Sequence, residues 1–301
     1  KVMPILNPAS ISVNGKSIAG FYPATKVYSY ILKTGSAIPV VTAASASQDV
    51  VIDVKQASSI PGTVVISLND NVTSEANTVY ISFGTASSND EFNSTVPGKQ
   101  WNWVRENSNN WSLSKKTGSL TITSGNGDVI LSNNNAENIL LQNANTDWTI
   151  ESKLSFSKIP SAPAQHGGII AYQDDDNFVK LAYRSPAGRG GFGGQTAQPA
   201  SGAVELVIEQ DGYQKSIASL NMPEIKNNTL VLKLIRKGAV YEAYCSADGK
   251  NFKAVGQTQL LLRDVRAGLI TCNGVAPLRL GTRPTQQQAA QQIAPVEVSY
   301  D

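Results

Sequence analysis

The amino-acid sequence predicts an all-β protein, a small immunoglobulin-like sandwich followed by a larger jelly-roll or lectin-like sandwich. Three observations carry this. Apolar residues alternate with polar ones at the period of a strand, in many short runs. Clusters of Asn, Gly, Asp and Ser separate the runs. No long window places apolar residues at helical spacing. The chain has 301 residues, enough for one large or two ordinary domains, and 41% of them are hydrophobic, enough for a sizeable core.

The first group of runs lies between residues 7 and 84. In "TVVISLND", Val64, Ile66 and Leu68 alternate with Val65, Ser67 and Asn69. In "VYISF", Val79, Ile81 and Phe83 alternate with Tyr80 and Ser82. One face is apolar and the other wetter, as in a half-buried strand. "ISVNGKSI" sets Asn14-Gly15 between two short runs, a hairpin signal because both residues tolerate positive φ. About six or seven such strands fit, which suits a small immunoglobulin-like sandwich.

"GTASSNDEFNSTVPGK" is rich in Ser, Thr, Asn and Gly and offers little to bury. It reads as the boundary, giving an amino-terminal domain over 1–85, a linker over 86–98 and a second domain over 99–301.

The second group has clearer strands. "DWTIESKLSF" puts Trp148, Ile150, Leu154 and Phe156 on one face, with Thr149, Glu151, Lys153 and Ser155 on the other. "AVELVIEQDG" and "LVLKLIRKG" each end in a turn signal. "YCSADGKNFKAVGQT" reads as a hairpin, with Asp248-Gly249 at the turn and Phe252 returning to the core. A dozen or so antiparallel strands imply two large sheets packed face to face.

Composition narrows the function. Lys and Arg total 25 against 23 Asp and Glu, a net charge of +2. That balance does not suit a nucleic-acid or anionic-membrane surface. No stretch is long and apolar enough to span a bilayer as a helix. The start "KVMPILNPAS" reads as a processed or excised chain. The two cysteines, Cys245 and Cys272, allow at most one internal disulfide, and buried thiols are the plainer reading. The single histidine, His166, excludes a zinc site of several His ligands. In "SAPAQHGG" it reads as an ordinary loop histidine.

Four stretches bear on chemistry. "RSPAGRGGFGGQTAQPASG" places glycines on both sides of Phe192. A strand follows it rather than a helix, so it is not a phosphate cradle. It reads as a long hairpin connection, either without function or presenting Phe192, beside Arg189, to a ligand or neighbouring domain. In "QDDDNFVKL", Asp174, Asp175 and Asp176 lack the spacing of an EF-hand and read as a solvated turn. Large β-sandwiches often use calcium to pin loops, so a structural calcium is admitted, with no position assigned. "KQWNWVRENSNNWSL" gathers Trp101, Trp103 and Trp111. Trp101 reads as core, while Trp103 is either core or a platform for a sugar ring. Carboxylates are numerous, but none form a recognisable catalytic pair.

The stretches "WNWVREN…WSL…TGSLTI", "NILLQNANTDWTIESKL", "GGIIAYQDDDNFVKLAYR" and "YCSADGKNFKAVGQT…AGLITC" occur in this order. Together, over residues 90 to 301, they resemble the concanavalin-like β-sandwich at the carboxyl end of glycoside hydrolase family 43 enzymes. Those are β-xylosidases and α-L-arabinofuranosidases acting on plant cell-wall glycans. "VNGKSIAGFYPATKVYSY" and "IPVVTA" more loosely resemble immunoglobulin-like modules of bacterial secreted glycosidases. The resemblance implies a five-bladed catalytic propeller as partner, for which residues 1–85 are far too short. In some of these enzymes a loop of the sandwich contributes an aromatic ring to the propeller's pocket, and the resemblance makes Phe192 a candidate for that role, although its loop matches no family motif closely.

The expectation is therefore a secreted, periplasmic or cell-surface accessory module that binds polysaccharide or oligosaccharide of xylan or arabinan type, without catalysis of its own. Its expected contacts are Trp103, Tyr172, Arg184 and Phe192, with Gln142 and Glu106 as hydroxyl partners. Two other readings stand beside it: a purely structural spacer, and a glycan-cleaving enzyme of lectin-like fold.

Overall fold

The strand Trp148–Phe156 shows how alternation becomes structure. Ser152, Leu154 and Phe156 are buried, while Thr149, Glu151 and Lys153 are exposed. This period-2 division commits the strand to one face of a sheet, because a slip of one residue would turn every apolar side chain outward. The structure, a computed structural model, describes residues 6–160, 165–184, 202–222, 225–274 and 294–301.

Trp148–Phe156 sits at the centre of a seven-stranded antiparallel sheet. Its spatial order is Lys253–Gln259, Val240–Ser246, Thr229–Lys237, Trp148–Phe156, Glu297–Tyr300, Leu120–Thr123 and Trp111–Ser112. A second seven-stranded sheet runs Tyr213–Asn221, Ala203–Gln210, Asn177–Arg184, His166–Asp174, Arg266–Cys272, Ile139–Asn143 and Asn102–Val104. The two inner faces share one core, to which Leu154, Leu232 and Val298 contribute from the first sheet and Ile169, Leu181 and Leu206 from the second. Each such side chain contributes about 1.5–3 kcal/mol when fully buried. Tyr300 brings a phenol into this core and satisfies it, donating to the Ile270 carbonyl at 2.7 Å and accepting from Gly168 N at 3.2 Å. This is a concanavalin-like all-β sandwich, as the sequence predicts.

The outward face of the second sheet is not left to solvent. Ile170, Tyr172, Phe178 and Cys272 point there and are covered by Val129 and Ala136. The covering segment contains the short hairpin Val129–Ile130 with Asn133–Asn134.

Residues 10–85 form a three-stranded sheet and a four-stranded sheet around a separate core of Ile11, Val41, Val64, Ile66, Ile81 and Phe83. The strands Val27–Leu32 and Ala76–Thr85 pair in parallel. Asn14 (φ +49°) and Gly15 (φ +74°) make the hairpin turn expected of them.

Asn145 joins the two cores. Its buried amide donates to the Gly62 carbonyl at 3.1 Å and accepts from Val265 N at 3.0 Å. Asp147 extends the seam, accepting from Ser29 Oγ at 3.2 Å and from Gly238 N at 2.8 Å. Arg236, only 1% exposed, donates to the carbonyls of Ala144 and Thr146 at 3.1 and 2.9 Å and so fixes the turn that presents both residues. The stretch 86–98 carries no strand, yet it buries Phe92 against Trp101, with ring centroids 5.9 Å apart.

Three local expectations change. His166 begins a strand and is buried, because its place opposite Cys272 and Arg184 puts it on the covered face of the second sheet. Trp101 is half-buried rather than core, since its indole lies at the open end of the sandwich. Phe252 is half-buried beneath Lys233, whose ammonium sits 3.6 Å from the ring centroid. Cys245 and Cys272 are buried free thiols.

Candidate functional site

Two places gather chemistry. The first is a cleft where the two large sheets part, next to the chain leaving the amino-terminal core. Its volume is about 330 Å³. Ala267, Leu269 and Phe92, all buried, line it. Trp101 and Trp148 are half-buried walls, Ser88, Asn89 and Glu91 are exposed beside them, and Glu151, also exposed, is paired with Lys233 at 2.8 Å.

The walls are held from behind. Asp90 accepts from Trp101 Nε1 at 2.7 Å and from Gln100 Nε2 at 3.0 Å, which sets the plane of that indole. Trp148 Nε1 donates to the Ala144 carbonyl at 2.9 Å, and the ring meets Tyr241 edge-on. Both indole N–H groups are thus used internally, leaving ring surface as what the tryptophans offer the cleft. Gln142 is tied twice to the backbone of Ser88, donating to its carbonyl and accepting from its N–H, each at 3.0 Å. The rim is therefore strapped to the second sheet.

The second place is the covered face of the second sheet. Lys180, 5% exposed, donates to Asp128 Oδ1 at 3.1 Å, and Asp128 is 2% exposed. His166 Nε2 lies 3.7 Å from the same oxygen. Burial works against the Asp128 carboxylate, but Lys180 and His166 more than offset it, and its pKa falls below the usual carboxylate value. Arg184 and Glu205 pair at 2.9 Å at the edge of this face. Glu209 is fully buried and accepts from Leu131 N at 3.0 Å. Burial raises its pKa.

Among the described residues, Asp128, His166 and Cys272 bring ligand atoms within 4.8 Å of one another. This donor set does not suit calcium, which takes oxygen ligands. Lys180 already supplies the cation beside Asp128, and burial pushes the Cys272 thiol up, away from the thiolate a metal would need. The cluster is accounted for as a buried ionic network.

The residues expected to bind sugar scatter. Gln142 reaches the cleft, but with its amide engaged. Trp103 and Glu106 meet at Trp111, whose ring stacks on Trp103 with centroids 5.1 Å apart and whose Nε1 donates to Glu106 at 3.1 Å. Tyr172 is buried and donates to Asp175 at 2.7 Å. Asp175 in turn receives both terminal nitrogens of Arg105, so this one of the three aspartates is not merely a solvated turn. Arg184 is committed to Glu205. Phe192 and Arg189 lie outside the described residues. Trp148 and Asn89, which line the cleft, are not marked by the sequence, because the alternation shows Trp148 only as inward-facing and nothing local shows that the sandwich opens there.

Comparison with known proteins agrees with the fold. The family model of the beta xylosidase C-terminal concanavalin A-like domain matches residues 89–268. Among solved structures, the GH43 protein BlXynB of Bacillus licheniformis superposes with a TM-score of 0.54 at 16% identity, covering 79% of this chain and 49% of that one. A xylan beta-1,4-xylosidase of Bacillus halodurans gives 0.52 at 12% identity, covering 79% and 50%. The Bacteroides ovatus xyloglucan-locus protein GH43B gives 0.50 at 14%, again covering 79% and 50%. The chain thus spans about half the length of these structures. No curated protein matches it.

Proposed function

The chain belongs to the family of beta xylosidase C-terminal concanavalin A-like domains, and from that premise we propose that it is a non-catalytic, glycan-binding part of a larger glycoside hydrolase acting on plant cell-wall polysaccharide of xylan or arabinan type. The observation that supports this best is the engagement of its buried and half-buried carboxylates. Glycosidic hydrolysis needs two carboxyl groups facing each other across a sugar, roughly 5–9.5 Å apart, one protonated and one ionised. Asp128 is held by Lys180, Glu205 by Arg184, and Asp175 by Arg105 and Tyr172. Glu209 has the raised pKa of an acid, but it is fully buried and holds the Leu131 amide. Carboxylates spent on structure in this way do not flank a substrate.

The cleft walled by Trp101 and Trp148 supplies the binding half of the reading, since aromatic faces beside polar rims suit the C–H faces and hydroxyls of a sugar. Residues 10–85, with their own core, are read as an immunoglobulin-like spacer module. The whole protein would work outside the cytoplasm, where its substrate is.

Electrophoresis of the chain through gels containing xylan or arabinan tests binding, and a reducing-sugar assay on the same glycans tests catalysis. Retardation without sugar release is expected. Neither retardation nor release would leave only the spacer reading, and release by the purified chain would establish an enzyme.

A further inference from the structure

Resting on the glycan-binding reading, we infer that the cleft between Trp101 and Trp148 takes a single terminal or branching sugar residue rather than a stretch of polysaccharide backbone. Three features lead there. The cleft is small: about 330 Å³ lies at the lower end of the range for ligand pockets. Its lining includes the buried side chains Ala267, Leu269 and Phe92, an apolar surface of the size of one ring. Two hydrogen bonds of 3.0 Å tie the lining residues Gln142 and Ser88 together, which holds the cleft at this size.

The chemistry of the lining fits one pyranose or furanose ring. The indole faces of Trp101 and Trp148, with their N–H groups already bonded to Asp90 and Ala144, present apolar ring surface to sugar C–H groups. The exposed amide of Asn89 borders the cleft and can serve a sugar hydroxyl, whereas the carboxylate of Glu151 is held by Lys233 at 2.8 Å. A second cavity, of about 450 Å³, lies between the amino-terminal sheet and the large sandwich. It is lined by residues such as Lys55, Gln56, Arg263 and Asp264 and offers no aromatic face. Of the two, the Trp101–Trp148 cleft has the surface a sugar ring needs.

The test is calorimetric titration of the intact chain with arabino- and xylo-oligosaccharides of two and six units, repeated on Asn89→Trp and Trp148→Ala. Asn89 is exposed at the rim, so Asn89→Trp blocks the mouth without disturbing the core, and an unchanged melting temperature verifies this. Trp148→Ala removes a wall. For the wild type, Kd for two and six units should agree within about twofold, because only one residue enters. Asn89→Trp should weaken binding at least tenfold, and Trp148→Ala severalfold. Affinity that rises tenfold or more with chain length would overturn the single-residue site. Binding unaffected by Asn89→Trp would place the site elsewhere and overturn this inference, while the glycan-binding reading would stand. Absence of binding to every sugar and polymer would remove both.

Discussion

Lys180 Nζ lies 3.1 Å from Asp128 Oδ1, and both side chains are buried against the second sheet. Asp128 comes from the segment that covers the sheet and Lys180 from the sheet itself, so the pair pins cover to sheet. Removing one partner of a buried pair leaves an uncompensated charge, which typically costs about 3–5 kcal/mol. Lys180→Met should lose stability of that order in urea denaturation, and adding Asp128→Asn should recover much of it. A loss below about 1 kcal/mol would mean that the pair is solvated.

The same pair sets an acid limit. The Asp128 pKa is depressed in the folded state, so its stabilisation is full above the ordinary carboxylate value near 4 and is lost as pH falls through the lower folded value. The stability gap between wild type and Asp128→Asn should therefore be open at pH 5 and should close as pH falls below about 4. A constant gap down to pH 2 would contradict this.

Glu209 runs the other way. Burial raises its pKa in the folded state, so its contribution is most favourable below the unfolded value and declines as pH rises through the folded one. Glu209→Gln keeps an acceptor for Leu131 N and removes the buried charge. It should raise the melting temperature at pH 8. The gain should vanish near pH 4. Destabilisation at pH 8 would show that the ionised form is satisfied in the fold.

The Asn145 amide connects the two cores through Gly62 and Val265. Asn145→Ala leaves a buried carbonyl and a buried N–H short of a partner, at a cost of roughly 1–3 kcal/mol. Scanning calorimetry should show the melting of residues 1–85 separating from that of the large sandwich. A single unshifted transition would mean that the seam is held elsewhere.

Much of the fold was legible because alternation is a local signal. Trp148 to Phe156 declared its faces from its own sequence, and Asn14-Gly15 declared its turn. The site was less legible because it is made by distance. Asp128 and Lys180 are 52 residues apart, and nothing near either one announces the other. His166 reads as a loop residue among Ala, Pro and Gly, and only its pairing with Cys272 and Arg184 places it on a covered face. Tyr172 and Arg184 carry side chains suited to sugar contact, and only the fold shows that each is bonded to an acid, Asp175 and Glu205 respectively. Trp148 was recognised as inward-facing, yet whether inward means core or cleft depends on where the two sheets part.

Amide hydrogen exchange of the intact chain, with and without a saturating arabinoxylan oligosaccharide, tests the glycan-binding claim most directly. Slowed exchange is expected in peptides covering 87–92, 142–152 and 267–269, which line the cleft, with the outward face of the second sheet unchanged. Identical exchange with and without the sugar throughout the chain would contradict it.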